Sequence, residues 1–212
     1  MEDFYSYRPS EGHGLKYNPL PTIIGPRPIA WISSISPNGI FNLAPYSFFN
    51  LFNYTPPIIG FSSVGYKDSL RNIEASKDFV CNIIDASLVD KMNQTSAPLA
   101  YEVSEFEDCG VNHFSSDLVQ SPRVLEAKVS LECKLSKIIQ LSDSKGVATE
   151  AWMVLAEVVQ VHINQKIIKD GVMDLEVFRH ILRGGGKSEY YEVGVENIFN
   201  VDRPKKPLHK PI

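Results

Sequence analysis

The chain has 212 residues, of which 43% are hydrophobic, and this length and composition suit one well-buried domain and are short for two. Its net charge of −4 argues against a general nucleic-acid binder, which needs a concentrated basic face. No stretch reaches the roughly 20 apolar residues of a membrane span, so no membrane association is predicted. The 3 cysteines form neither a CxxC pair nor a metal-ligand pattern, and they indicate a reducing, cytoplasmic location without a bound metal.

The N-terminal part of the chain, residues 1–17, is polar and aromatic. It predicts an arm that packs on the body of the protein or on a second subunit. Prolines between positions 19 and 28 then keep the chain extended, because proline fixes φ and disfavours a helix before it. Arg27 is held between Pro26 and Pro28. It either forms a surface ion pair or points at a ligand, and the second interpretation is favoured.

Three apolar runs follow, at residues 29–35, 40–52 and 58–64. Turn-forming residues separate them, and β-branched and aromatic residues bounded in this way are typical of strands. Asn38-Gly39 is the strongest turn signal, because both residues tolerate the positive φ of a tight hairpin. The pattern predicts a three-stranded antiparallel unit.

Small polar side chains lie at the ends of these runs or within them: Ser33, Ser34, Asn42, Ser47, Ser62 and Ser63. Lys67, Asp68 and Ser69 follow and open a predicted helix over 68–76, with Asp68 as its cap. A helix N-terminus beside a flat apolar surface with small polar groups suits a ligand that has a flat ring and a phosphate.

The middle of the chain predicts a strand at 78–84, a helix at 87–95 and an irregular segment at 97–112. The acidic residues of that segment are interpreted as a solvated face, and the segment itself as a lid or a dimer contact. Cys81 and Cys133 lie in apolar runs and are predicted core thiols rather than nucleophiles.

Period-two alternation over 127–141, followed by a second strand over 153–163, predicts a long hairpin. A break in the alternation at positions 137 and 138 indicates a bulge or an edge, and His162 is predicted to be solvated. A short helix is predicted over 174–182, with the glycines at 184–186 as its C-cap. Residues 193–212 predict an extended tail.

The motifs RPIAWISSISPNG, NLAPYSFF, TPP, SS and KDSLRN, in this order and spacing, resemble the flavin reductase-like family of FMN-binding split-barrel proteins. The resemblance covers roughly residues 22–191. It implies a mainly β protein, a Greek-key split β-barrel with a few short helices. It also implies one domain over 1–212, with a core at about 20–192, an N-terminal arm and a C-terminal tail, in a homodimer.

The resemblance also implies an FMN site. Ser33 and Ser34 bond ring or ribityl oxygens, the backbone from Ala44 to Ser47 donates to the ring, and the residues after the third run hold the ribityl chain and phosphate. The predicted site residues are Arg27, Ser33, Ser34, Asn42, Ala44, Pro45, Tyr46, Ser47, Phe48, Ser62, Ser63, Lys67, Asp68, Ser69 and Arg183.

The reaction implied is reduction of flavin by NADH or NADPH, which supplies electrons to a partner oxygenase. No catalytic side chain is predicted, because the flavin ring itself accepts hydride. The first alternative is an FMN-binding electron carrier or sensor without reductase activity. An oligonucleotide-binding barrel ranks low, because the aromatic residues are interleaved with almost no basic ones. A pyridoxamine-phosphate-oxidase-like split barrel fits the order of the motifs less well.

Overall fold

The computed structural model describes residues 3–204; Met1, Glu2 and residues 205–212, the outer parts of the predicted arm and tail, lie outside them. The strands are β1 (Arg27–Pro28), β2 (Ala30–Ile35), β3 (Phe41–Tyr46), β4 (Phe49–Tyr54), β5 (Pro57–Val64), β6 (Asp78–Ile83), β7 (His113–Phe114), β8 (Arg123–Val124), β9 (Val129–Ser142), β10 (Ala148–Ile163), β11 (Ile168–Lys169), β12 (Val172–Met173), β13 (His180–Arg183) and β14 (Tyr190–Val193). The α-helices are α1 (Leu20–Ile23), α2 (Asp68–Ser76), α3 (Val89–Gln94) and α4 (Glu105–Asp108), and short 3-10 helices lie at Pro9–Glu11, Ala86–Leu88, Gln165–Ile167 and Val195–Asn197. None of the helices within residues 3–204 is both long and apolar enough to cross a membrane.

One antiparallel sheet of 7 strands, in the order β3-β2-β6-β9-β10-β5-β4, forms the body of the protein. Its two edge strands, β3 and β4, are consecutive in the chain and are joined only by Ser47 and Phe48. Two residues cannot span an open sheet of this width, so the sheet curls until its edges meet. The Phe48 carbonyl accepts a hydrogen bond from the Ser62 N–H at 2.8 Å, which extends the β4–β5 pairing into this connection. The mainly β, split-barrel prediction is confirmed.

The predicted three-stranded unit is wrong in its pairing. The first two runs do form a hairpin through the Asn38-Gly39 turn, with Gly39 at φ 83°. The second run, however, divides at Ser47 and Phe48 into β3 and β4, which pair with β2 and β5 respectively. A bend is needed there because the two halves belong to opposite edges of the sheet.

Both faces of β2 are buried, which explains its uninterrupted apolar sequence. Ile32 packs inside the barrel with Phe61 and Phe79. Trp31 points to the other face, in a second cluster with Leu43 and residues of α3 and α4. This second cluster attaches the segment between α3 and α4 to the outside of the barrel. Cys81 and Cys133 lie in the barrel core, as predicted.

The predicted long hairpin is formed by β9 and β10, with three register shifts, one of them beside Lys137. His162, on β10, is not solvated as predicted. Its Nε2 lies 2.7 Å from an oxygen of Glu132, which is fully buried and also accepts bonds from the N–H groups of Asp117 and Leu118. Although burial raises the pKa of Glu132, these hydrogen bonds outweigh it, and the pKa is lowered.

The predicted helix over 174–182 is also wrong, since this segment forms a turn and then β13. A backbone bond from the Phe178 N–H to the Asp174 carbonyl closes the turn, and Phe178 is buried against Ile167. The apolar spacing that resembled a helix therefore comes from one turn and a short strand. The glycines at 184–186 connect β13 to β14 and are not a helix cap.

Candidate functional site

A cavity of about 450 Å³ lies at the closure of the barrel. Its walls come from three parts of the chain: β3 with the following turn, the segment from β5 to the start of α2, and the segment between α3 and α4. The lining residues are Asn42, Ala44, Pro45, Tyr46, Ser47, Phe48, Ser62, Val64, Lys67, Asp68, Ser69, Thr95, Ser96, Ala97, Pro98, Leu99 and Glu105. The structure therefore brings most of the predicted site residues together.

The N-terminus of α2 forms the most polar part of the cavity wall. Lys67 occupies the N-cap position, and no side chain caps the helix. The first N–H groups of a helix have no partner within the helix and carry the positive end of its dipole. Within residues 3–204, the Lys67 ammonium group has no hydrogen-bond or ion-pair partner, and Lys67 is exposed.

Asp68 is the first residue of α2 rather than its cap, a correction to the sequence prediction. Its carboxylate lies 3.8 Å from the guanidinium group of Arg71, one turn further on. Ser69 is buried, and its hydroxyl accepts a hydrogen bond from the Asn42 amide at 2.9 Å. This bond ties α2 to β3, so the two walls that carry predicted residues are held at a fixed separation.

The turn between β3 and β4 supplies the aromatic part of the wall. Tyr46 is buried with its ring centroid 4.6 Å from that of Phe61, inside the barrel. Its hydroxyl is buried without a hydrogen-bond partner among the described residues, and burial is the main reason that the Tyr46 pKa is raised. Phe48 is 49% exposed and presents its ring at the open side of the cavity.

The third wall, residues 95–99 with Glu105, was not found by sequence reasoning, which left this segment as a lid or a dimer contact. Three hydrogen bonds fix it on the barrel and on α2. Thr95 accepts a hydrogen bond from the Trp31 indole at 2.9 Å, and Tyr101 donates to Asn72 of α2 at 2.8 Å. Glu105 accepts a bond from the Leu43 N–H at 2.9 Å. The only hint in the sequence was the apolar Phe106 beside Glu105, which is buried against β3.

Glu105 belongs to the acidic stretch that was predicted to be a solvated face, and that prediction is wrong at this residue. It is 7% exposed and lines the cavity. Burial raises the pKa of Glu105; the bond from Leu43 opposes this effect, and the nearby charges of Asp68 and Asp108 add to it. The cavity thus contains a carboxyl group that keeps its proton to a higher pH than usual.

Ser33, Ser34 and Ser63 do not line the cavity. All three are fully buried, with their hydroxyl groups bonded inside the protein. Ser33 contacts the Pro122 carbonyl and accepts from Asn82, Ser34 accepts from Asn72 at 3.3 Å, and Ser63 donates to the Gly65 carbonyl at 2.9 Å. These serines hold strands and loops together behind the cavity wall.

Arg27 and Arg183 also lie outside the cavity lining, but beside it. They face each other across the β1–β13 pair. The Arg27 guanidinium carbon lies 5.6 Å from the ring centroid of Phe48, a residue of the cavity wall.

A second cavity, of about 490 Å³, lies between β8, β9 and β10 and contains none of the predicted site residues. Its cationic side chains are already engaged. Lys128 pairs with Asp85 at 2.7 Å, and Arg123 donates to the Ser115 carbonyl. It lacks both the helix N-terminus and the aromatic turn, so the first cavity is the candidate site.

Comparison with known proteins agrees with this assignment. The sequence profile of the flavin reductase like domain matches residues 25–179, and the chain therefore belongs to this family. A protein of Aquifex aeolicus is 37% identical over 174 residues, which cover 80% of this chain and 85% of the relative.

Two solved structures are similar over most of their length. Nitrilotriacetate monooxygenase component B from Bacillus cereus has a TM-score of 0.85 and 30% identity, covering 95% of this chain and 100% of its own. The 2-nitrobenzoate 2-nitroreductase NbaA of Pseudomonas fluorescens has a TM-score of 0.77 and 28% identity, covering 89% and 90%. The fold and family support an oxidoreductase.

We predict that Glu105→Gln makes the protein more stable relative to the wild type as the pH rises from 4 to 7. Burial raises the Glu105 pKa above its ordinary value of 4.5, so only the unfolded chain ionises readily in this range and the wild type loses stability. The glutamine cannot ionise and still offers an oxygen to the Leu43 N–H. Urea unfolding at several pH values measures the difference.

Glu132→Gln is the matched control, because the Glu132 pKa is lowered instead. The wild type should gain stability over this variant as the pH rises through 4.5, the ordinary pKa. If the wild type also became more stable than Glu105→Gln as the pH rises, the folded protein would hold Glu105 as a carboxylate.

Proposed function

We propose that this protein is an FMN-binding oxidoreductase in which NADH or NADPH reduces the flavin and the reduced flavin supplies a partner oxygenase. One observation carries the proposal: a single cavity places the uncapped N-terminus of α2, with Lys67, next to the aromatic turn at Tyr46–Phe48. A flavin mononucleotide needs both kinds of surface, one for its phosphate and one for its ring.

The phosphate fits the α2 side of the cavity. Free N–H groups, the helix dipole and the unpaired Lys67 ammonium all favour an anion there. Asp68 and Glu105 also line this cavity, but they repel a phosphate less than two free carboxylates would. Asp68 lies near Arg71, and Glu105 keeps its proton more readily than an exposed carboxyl group. The cavity volume of about 450 Å³ is within the usual range for ligand sites, about 300–1,000 Å³.

The ring fits the β3 side, and the edge position of β3 decides which backbone groups can reach it. In an antiparallel strand, the N–H and C=O of one residue point to the same side, and the side alternates along the strand. The Leu43 N–H bonds Glu105, outside the sheet, so residue 45 shares this outward side, and Ser47 follows in the bend after β3. Pro45 has no N–H. We therefore assign the ring-facing backbone donor to Ser47, and not to Ala44 or Tyr46, which face β2.

When bound, FMN supplies a ring that accepts a hydride. The chain's own residues then have to bind and orient the ring and hold a fixed wall beside it. The bonds of Thr95 and Glu105 to the barrel serve this purpose, because they fix the 95–99 wall. A general acid or base is not required for the transfer itself.

Separate observations support the assignments of partner, oligomeric state and location. The similar Bacillus cereus protein is a component of a monooxygenase, which supports a partner oxygenase here. A homodimer is supported by the edge strand β4, which exposes Leu51, Phe52 and Tyr54, the last at 85%. The free thiols of Cys81, Cys109 and Cys133 support a cytoplasmic location. We also propose that the chain is one domain with an arm and a tail.

We predict that Lys67→Ala and Ser69→Ala each weaken FMN binding about ten- to hundredfold, because one charge-assisted hydrogen bond contributes roughly 1.5–3 kcal/mol. Quenching of FMN fluorescence on titration with protein measures the dissociation constant. Lys145→Ala and Ser144→Ala, in the exposed β9–β10 turn, are matched controls and should bind like the wild type. Titration curves that are unchanged in both site variants would rule out the phosphate assignment.

We predict that the FMN-loaded protein oxidises NADH or NADPH faster than the same concentration of free FMN. The absorbance of the reduced nicotinamide follows the reaction, with free FMN and FMN-free protein as controls. If neither nucleotide is consumed above the free-FMN rate, the protein is an electron carrier or sensor that binds FMN without reductase activity.

A further inference from the structure

Two arginines face each other beside the cavity without a counter-charge. Arg27 on β1 and Arg183 on β13 are direct cross-strand partners, a position in which like charges destabilise the pair. Neither guanidinium forms an ion pair with a carboxylate within residues 3–204. The pKa of Arg27 is lowered, first by burial and then by the charge of Arg183.

Neutral backbone oxygens hold both guanidinium groups in place. Arg27 donates to the carbonyls of Pro21 and Gly184, the latter at 3.0 Å, and its Nε is buried without a partner. Arg183 donates to the carbonyls of Glu189 and Lys187, at 2.6 and 2.9 Å. Carbonyl groups orient a guanidinium but do not neutralise it, so two fixed positive charges remain uncompensated.

The loop that follows Arg183 is held rigidly against the segment that precedes Arg27. Gly185 packs so closely on Thr22 of α1 that a Cβ at this position would overlap the threonine backbone. This contact explains the glycines after Arg183: they allow the β13–β14 turn to approach α1. It also fixes the two arginines relative to each other, which is a feature of a preorganised binding site.

The arginine pair borders the candidate site through Phe48. The Arg27 guanidinium lies over one side of this ring, and the half-exposed ring lines the cavity. The pair lies outside the cavity lining and so is separate from the α2 N-terminus, which is part of it. A molecule that rests against the open side of the cavity at Phe48 would meet this second positive region.

We propose that Arg27 and Arg183 form a second oxyanion subsite, which binds the anionic group of a substrate that lies against the flavin. The proposal rests on the proposed function, since the flavin defines the surface on which this substrate lies. Arginine binds phosphate and carboxylate with parallel, charge-assisted hydrogen bonds. The anion is either a phosphate of a nicotinamide nucleotide or the carboxylate of a small aromatic acid.

The test measures binding of ADP and of benzoate to the FMN-loaded protein by isothermal titration calorimetry, in the wild type and in Arg183→Gln. ADP carries a pyrophosphate without the nicotinamide, and benzoate carries a carboxylate on an aromatic ring. At least one ligand should bind the wild type and lose about tenfold or more in affinity in the variant. A loss for ADP assigns the nucleotide, and a loss for benzoate assigns the aromatic acid.

Arg179→Gln is the matched control, because Arg179 precedes the same strand but is paired with Glu192 and Glu196. It should bind both ligands like the wild type. If Arg183→Gln does not fold, Arg183→Lys gives the same comparison, since it keeps the charge but loses the paired donors. The subsite is overturned if neither ligand binds the wild type, or if the affinity falls equally in Arg179→Gln. FMN titration separates the two proposals: a wild type that does not bind FMN overturns both, whereas a wild type that binds FMN but neither ligand overturns the subsite alone.

Discussion

The short connection at Ser47 and Phe48 is the constraint on which the rest of the structure depends. It joins the two edge strands of a seven-stranded sheet, so the sheet has to curl and bring β3 and β4 together. The edges meet without pairing along their length, and a seam remains open in the barrel wall. The candidate site is this seam, with α2 on one side of it and residues 95–99 on another.

An unpaired strand edge has to be protected, because its free N–H and C=O groups can pair with other chains. Here the protection is distributed over several residues. Glu105 bonds the outward N–H of Leu43, and Pro45 has no N–H to expose. What remains open is a short stretch of backbone at Ser47, next to the cavity. The features that limit aggregation at this edge therefore also define where a ligand can bond to it.

Two buried glutamates of this fold have pKa values that are shifted in opposite directions. Glu132 bonds two backbone N–H groups and the His162 ring, which outweigh its burial and keep it ionised. Glu105 bonds a single N–H of a neighbouring element, and burial dominates. A raised pKa at Glu105 favours its neutral form, which lowers the repulsion that an anionic ligand meets there.

The sequence allowed the fold class, the helix over Asp68–Ser76, the β9–β10 hairpin and most of the cavity wall to be predicted, because each depends on local pattern or on a contiguous motif. It did not reveal that residues 40–52 divide between opposite edges, since barrel closure depends on distant pairing. The burial of Glu105 and of the Glu132–His162 pair was also missed. An acidic residue in a segment without a regular apolar pattern and a histidine on a strand appear solvated unless their partners, 62 and 30 residues away, are known.

The most direct test of this account is a crystal structure of the protein grown with FMN. The account predicts the phosphate at the N-terminus of α2, within hydrogen-bond distance of Lys67 or Ser69, and the ring against Tyr46–Phe48 with the Ser47 N–H bonded to it. A flavin bound in the cavity between β8, β9 and β10, or a seam filled by the protein's own side chains, would contradict it.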